Sequence, residues 1–217
     1  NNLSPYWGGG IYLYVSSHGY IENSFIAYNS ASIENNGNGG GIVVDDHSSL
    51  IINNGTVSNN SANIGGGLIV DGNSRLSINN IIISDNISNS GGALYISANS
   101  DSVEISNSSF INNESDSKGG AIYYGGYSII NINKSLFAKN NCSDTKGGAI
   151  YLENGQGQNL YFTNNTFYGN GSYLNEGTDI FSQGYNLFLK NSIFWSYQDV
   201  NHVFSYSDIE IDYSLIR

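Results

Sequence analysis

The six residues "KGGAIY" at 118–123 are spelled again, word for word, at 146–151, 28 positions later. A word repeated at a near-constant distance marks a repeat architecture, so the remaining copies decide the fold. Gly-Gly-(Gly/Ala)-apolar also occurs at 8–11, 39–42, 65–68 and 91–94, and a worn form, "GTDI", at 177–180. Successive copies lie 31, 26, 26, 28, 28 and 30 residues apart, and a last echo is expected at "YSDI", 206–209.

A second word runs in step with the first: apolar-x-apolar-x-Asn-x-x-apolar-x-x-Asn. Its copies include Leu50, Ile52, Asn54, Val57, Asn60, then Leu76, Ile78, Asn80, Ile83, Asn86, and Val103, Ile105, Asn107, Phe110, Asn113. Lys134 stands at the inner Asn position of the next copy, and Tyr197 replaces the closing Asn of the last one. The step from the first word to the second stays near eight residues, whereas the return step varies. Each unit therefore has two fixed corners and one elastic corner.

After each glycine pair, apolar residues alternate, as in Ile11, Leu13, Val15 or Ile42, Val44. A period of two means strand. A unit of this length cannot bury its apolar side alone, but stacked units can. If each unit is one coil, equivalent residues of successive coils form columns about 4.8 Å apart. The expectation is an all-β, right-handed parallel β-helix (a solenoid) of about seven coils, three short strands per coil, forming a single domain over 1–217. The crossover rule sets the hand.

The recurring inner asparagines Asn23, Asn54, Asn80, Asn107, Asn164 and Asn191 need hydrogen-bond partners if they are buried. They are expected to form a side-chain ladder along one corner.

Composition narrows function. Net charge is −11 with only seven Lys and Arg. No basic stripe can be built, which argues against nucleic acid and against anionic membrane surfaces. No apolar run is long enough for a membrane helix. The single cysteine, Cys142, allows no internal disulfide and reads as an incidental thiol in a polar turn. No signal peptide is visible, and the pattern is already under way at both ends. The chain is therefore expected to be a fragment or mature piece of a longer one.

"GGAI" and "GGAL" alternating with "FINN" (110–113), "FAKN" (137–140) and "FYGN" (167–170) resemble the repeats of chlamydial polymorphic outer membrane proteins and of autotransporter passengers. The resemblance covers roughly 8–197. It implies a secreted or surface-exposed bacterial β-helix, extracellular or on the cell surface and often adhesive. Its partners would be a glycan, a protein of a host or neighbouring cell, or the rest of a longer surface assembly, without direct membrane insertion. The early copies depart from the pattern with Val or Ile in place of Phe.

The outward position of the first strand reads Tyr12, Val43, Ile69, Tyr95, Tyr123, Tyr151, Phe181. It is expected to be an exposed stripe able to hold sugar rings or a partner, or else to stabilise the sheet by stacking. Two positions on, Asp45 and Asp71 fall on adjacent coils, with Asp46 and His47 beside them. As an alternative these could serve a polysaccharide lyase or glycoside hydrolase, in keeping with acids on the outer sheets of β-helix enzymes, or a weak Ca²⁺ site. No Lys or Arg aligns with them, and otherwise no cofactor is expected. His18 and His202 read as unrelated turn residues. Recognition loops are expected at 30–38, 171–176 and 198–205, and at the turn 154–159. A purely architectural rod is the third reading.

Overall fold

A computed structural model describes residues 2–32, 36–144, 146–196 and 200–217. Tyr197 and parts of the loops 30–38 and 198–205 lie outside the described residues. Every paired strand is parallel to its neighbours, and no helix occurs among the described residues.

The first wall of the β-helix is an eight-stranded sheet: Ile11–Leu13, Ile42–Val44, Leu68–Val70, Leu94–Ile96, Ile122–Tyr124, Ile150–Leu152, Glu176–Ser182 and Asn201–Ser205. Its register matches the repeat residue for residue, with Ile42 beside Leu68, Leu68 beside Leu94 and Ile122 beside Ile150. The last copy is not at "YSDI": Val203 pairs with Ile180, and Ile209 pairs instead with Leu187 in the second wall.

The second and third walls are two limbs of one larger sheet. In the early coils a single ten-residue strand, such as Ser49–Ser58 or Arg75–Ser84, runs through both limbs. Later coils divide into two strands, such as Ser102–Ser106 and Ser109–Ile111. Leu50 pairs with Leu76, and Ile52 with Ile78. A short separate sheet, absent from the three-strand expectation, joins Ile87–Ser90, Glu114–Lys118, Asn141–Cys142 and Gly171–Ser172. Cys142 is buried in it.

The coil turns where the backbone enters the left-handed region. The glycine that opens each first word does so, as at Gly119 (φ 65°) and Gly147 (φ 69°). So does the inner Asn column, including Lys134 at φ 49°. The third column, Asn59, Asp85, Asn112, Lys139 and Gly169, precedes each closing Asn. Asn and Gly suit these positions because they tolerate positive φ best.

The expected ladder is corrected by this geometry. Asn23, Asn54, Asn80, Asn107, Asn164 and Asn191 have φ between 48° and 59° and are exposed or half-buried. A left-handed residue at the corner projects its side chain outward, and only Asn80 to Asn54 (2.6 Å) forms a rung. The buried rungs of that corner belong to the next residue: Ser108 accepts from the Ile81 N–H, Ser135 from Ser108, Asn165 from Ser135 and Ser192 from Asn165.

The continuous asparagine ladder runs through the closing Asn instead: Asn29, Asn60, Asn86, Asn113, Asn140, Asn170. Asn113 Oδ1 accepts from the Asn86 backbone N–H (3.1 Å) and Nδ2 (3.0 Å). Asn113 Nδ2 donates to the Ile83 carbonyl (2.9 Å) and to Asn140 Oδ1 (3.0 Å). Each interior amide is thus fully satisfied while wholly buried. The ladder explains the third letter of the first word. A Cβ on Gly41 would lie 2.5 Å from the Gly67 carbonyl oxygen and 3.1 Å from Asn60 Nδ2, so the column, packed between the next coil's backbone and the amides, holds only Gly or Ala alongside the ladder. Where the ladder stops, the column changes to Asp179, which takes the last amide proton of Asn170 at 2.7 Å.

Inside the coils, Phe110, Phe137, Phe167 and Phe194 stack with centroids 4.8, 4.9 and 4.7 Å apart and no exposed surface. Such stacking adds to the burial of the rings themselves.

Candidate binding surface

The outer face of the first wall holds the expected aromatic stripe, but as a covered cluster. Val43 and Ile69 are buried, as are Tyr123, Tyr151 and Phe181, while Tyr95 is half-buried and Tyr12 is 42% exposed. The Gly turns fold back over these side chains: a Cβ on Gly39 would lie 2.1 Å from Val43 Cγ2, and one on Gly65 2.3 Å from Ile69 Cγ1. Further along, lysines close the cover. Lys118 Nζ sits over the Tyr123 and Tyr151 rings at 5.8 and 5.2 Å, and Lys146 Nζ over Phe181 and Phe204 at 4.7 and 5.4 Å. This is the physical content of the repeated "KGGAIY". Each lysine ammonium is anchored by a carboxylate at 2.5 Å, Glu153 for Lys118 and Glu176 for Lys146.

Tyr123 donates its hydroxyl to Glu153, whose other oxygen meets Lys118. Gly125 leaves room for that ring, since a Cβ there would come within 3.0 Å of it. Burial pushes the Tyr123 hydroxyl well above its ordinary range, with the Glu153 hydrogen bond adding to it, and Tyr151 is pushed up to about 12, chiefly by burial. These phenols stay protonated at neutral pH, and Tyr123 acts as a donor to Glu153.

Asp45 and Asp71 lie side by side, because Val44 pairs with Val70. Asp45 Oδ1 accepts from the Asp46 N–H (2.7 Å), and its Oδ2 accepts from the Tyr12 hydroxyl (3.2 Å). Burial, then the charge of Asp45, pushes Tyr12 up to about 12. Asp71 Oδ1 accepts from the Gly72 N–H at 2.8 Å. His47 Nδ1 faces Asp46 at 3.1 Å. No group of three or more His, Cys, Asp or Glu with metal-binding geometry occurs among the described residues. His202 is not a turn residue: it is buried in the strand Asn201–Ser205 and bonded to Asp179.

The second wall presents a different surface. Its outward column reads Tyr20, Ile51, Ser77, Glu104, Asn131, Tyr161, Phe188, Glu210 in successive coils. Tyr161 is 54% exposed and stacks on Phe188 with centroids 4.9 Å apart. On one side of Tyr161 lies an open depression of about 360 Å³ lined by Glu104, Asn131, Asn133 and Thr163. On the other lies one of about 190 Å³ lined by Phe188, Lys190, Glu210 and Asp212. Sequence reading passed over this pair because the column is mixed: apolar at Tyr20 and Ile51, polar from Ser77 to Asn131, and aromatic on adjacent coils at Tyr161 and Phe188. The available signal was two consecutive aromatics at an outward register.

Residues 29–196 match the family model described as "Right handed beta helix region". The chain belongs to that family. Neither the curated proteins nor the solved structures gave a match.

Proposed function

We propose that this β-helix is a non-catalytic module of a bacterial cell-surface or secreted protein, acting as adhesin or stalk and contacting a glycan or a protein of another cell. The observation that carries the reading is the pairing of a ladder-braced rod with an exposed tyrosine, Tyr161, stacked on the half-buried Phe188 on an outer wall. The resemblance of its "GGAI" and "FxxN" words to surface-protein repeats supports the location. Folds of this type host many functions, so the surface rather than the fold carries the reading.

The rival is a polysaccharide lyase or glycoside hydrolase on the first wall. It is favoured by the adjacency of Asp45 and Asp71 and by the Lys118–Glu153–Tyr123 network. Incubation with a panel of polysaccharides, read for new reducing ends and unsaturated products, separates the two. The expected result is binding to a glycan or to intact cells with no product formed. Product release that disappears in Asp45→Asn, Asp71→Asn or Glu153→Gln would overturn the proposal.

A further inference from the structure

We infer that the outer face of the second wall around Tyr161 is a binding site for an uncharged oligosaccharide. This rests on the reading of the chain as a partner-contacting module and names the ligand class of that surface.

Two kinds of group meet here. Tyr161 offers a flat, amphipathic ring, and the neighbouring coil puts Asn131 at the same outward position, too small to cover that ring. The apolar face of a pyranose ring stacks on such a surface. Around the ring stand side chains that suit hydroxyl groups. The amides of Asn131 and Asn133 make no side-chain hydrogen bond among the described residues, and the same holds for the Glu104 carboxylate and the Thr163 hydroxyl. In the coil before Glu104, by contrast, the Asn79 side-chain carbonyl already accepts from Ser106 and Asn107. Unengaged donors and acceptors beside an uncovered ring are what a polyol requires.

Charge selects against acidic sugars. Glu104 and Glu210 flank the aromatic pair, and the nearby cation, Lys190, already faces Asp212 at 3.5 Å. With a net charge of −11 over the whole chain, a uronate or sulfated glycan would be repelled.

The test is titration of the protein by calorimetry and NMR with neutral hexasaccharides (cello-, chito-, xylo-, manno- and galacto-oligomers) and with oligogalacturonate and hyaluronate hexamers. At least one neutral oligomer is expected to bind, and Tyr161→Ala to weaken it by about tenfold or more, with Tyr161→Phe largely retaining affinity. Tyr161 is outward and exposed, so its removal leaves the core intact, and Tyr20→Ala on the same wall serves as the control. Neutral-glycan binding that Tyr161→Ala leaves unchanged overturns this site while leaving the module reading in place. Binding confined to the acidic oligomers, or to none, overturns the inference itself. Cleavage of any oligomer would count against the non-catalytic reading instead.

Discussion

Asp179 and His202 stand in the same column on adjacent coils, with Oδ2 2.5 Å from Nδ1, and together they end the asparagine ladder. Both are buried, the aspartate almost completely. Asp179 Oδ1 takes the final amide proton from Asn170, and His202 Nε2 lies 3.0 Å from the Arg217 carbonyl. A carboxylate is acceptor-only and closes the chain of donors.

That pair sets a pH dependence. Burial alone would push His202 down, but the hydrogen bond and charge of Asp179, with the Arg217 carbonyl, outweigh it and hold the imidazolium above its ordinary value of 6.5. Burial pushes Asp179 up as well, opposed by its bonds to His202 and Asn170. For a raised histidine, stability is fully present below the unfolded value and is lost as pH rises through the folded one. The urea midpoint is therefore expected to decline as pH climbs from 6.5. His202→Gln should flatten that decline; an unchanged slope in this variant would refute the assignment. Asp179→Ala should cost about 3–5 kcal/mol, because a buried partner is left unpaired.

The two asparagine columns are distinguished by a matched pair of substitutions. Asn113→Ala removes a rung that accepts two bonds and donates two, and should destabilise by about 2–4 kcal/mol. Asn107 is an exposed corner residue at φ 50°, so Asn107→Gly should stay within about 1 kcal/mol of the wild type. Chemical denaturation of both variants checks this, and equal losses would mean the ladder is misplaced.

Phe137 lies between Phe110 and Phe167 with no exposed surface. Phe137→Ala is expected to cost about 3–5 kcal/mol, and Phe137→Leu markedly less, because leucine refills most of the space. Tm and urea midpoints would show the order. A similar loss in both would point to ring stacking rather than volume.

Lys118 covers the Tyr123 and Tyr151 rings. Its side chain is 32% exposed, so solvent screening weakens its pair with Glu153. Lys118→Ala should cost only about 1 kcal/mol and make Tyr123 and Tyr151 more accessible. Iodination or nitration of tyrosines, mapped by mass spectrometry, would report that exposure. Tyrosines at 123 and 151 as protected as in the wild type would show that the cover lies elsewhere.

Much was legible from residues alone. The spacing of Gly-Gly-Ala-Ile words determined the coil, the parallel register and the core columns, because a fixed period leaves one way to put like side chains on top of each other. Leu50 beside Leu76 and Phe110 beside Phe137 follow directly. Alternation also set which residues of the first wall point outward. It could not show what would lie over them. Burial of Tyr123 and Tyr151 depends on the glycine turn that opens each word and on a lysine that reaches over its own coil and the next, and alternation alone encodes neither. The same limit applied to asparagine: both columns recur with equal regularity, yet a left-handed φ turns one outward while the other stays inside the coil. Tyr161, by contrast, stays 54% exposed on the second wall, between Asn131 of one coil and Phe188 of the next. A repeat specifies register through periodicity alone, whereas cover and exposure are properties of three-dimensional neighbours, and only the assembled coils decided them.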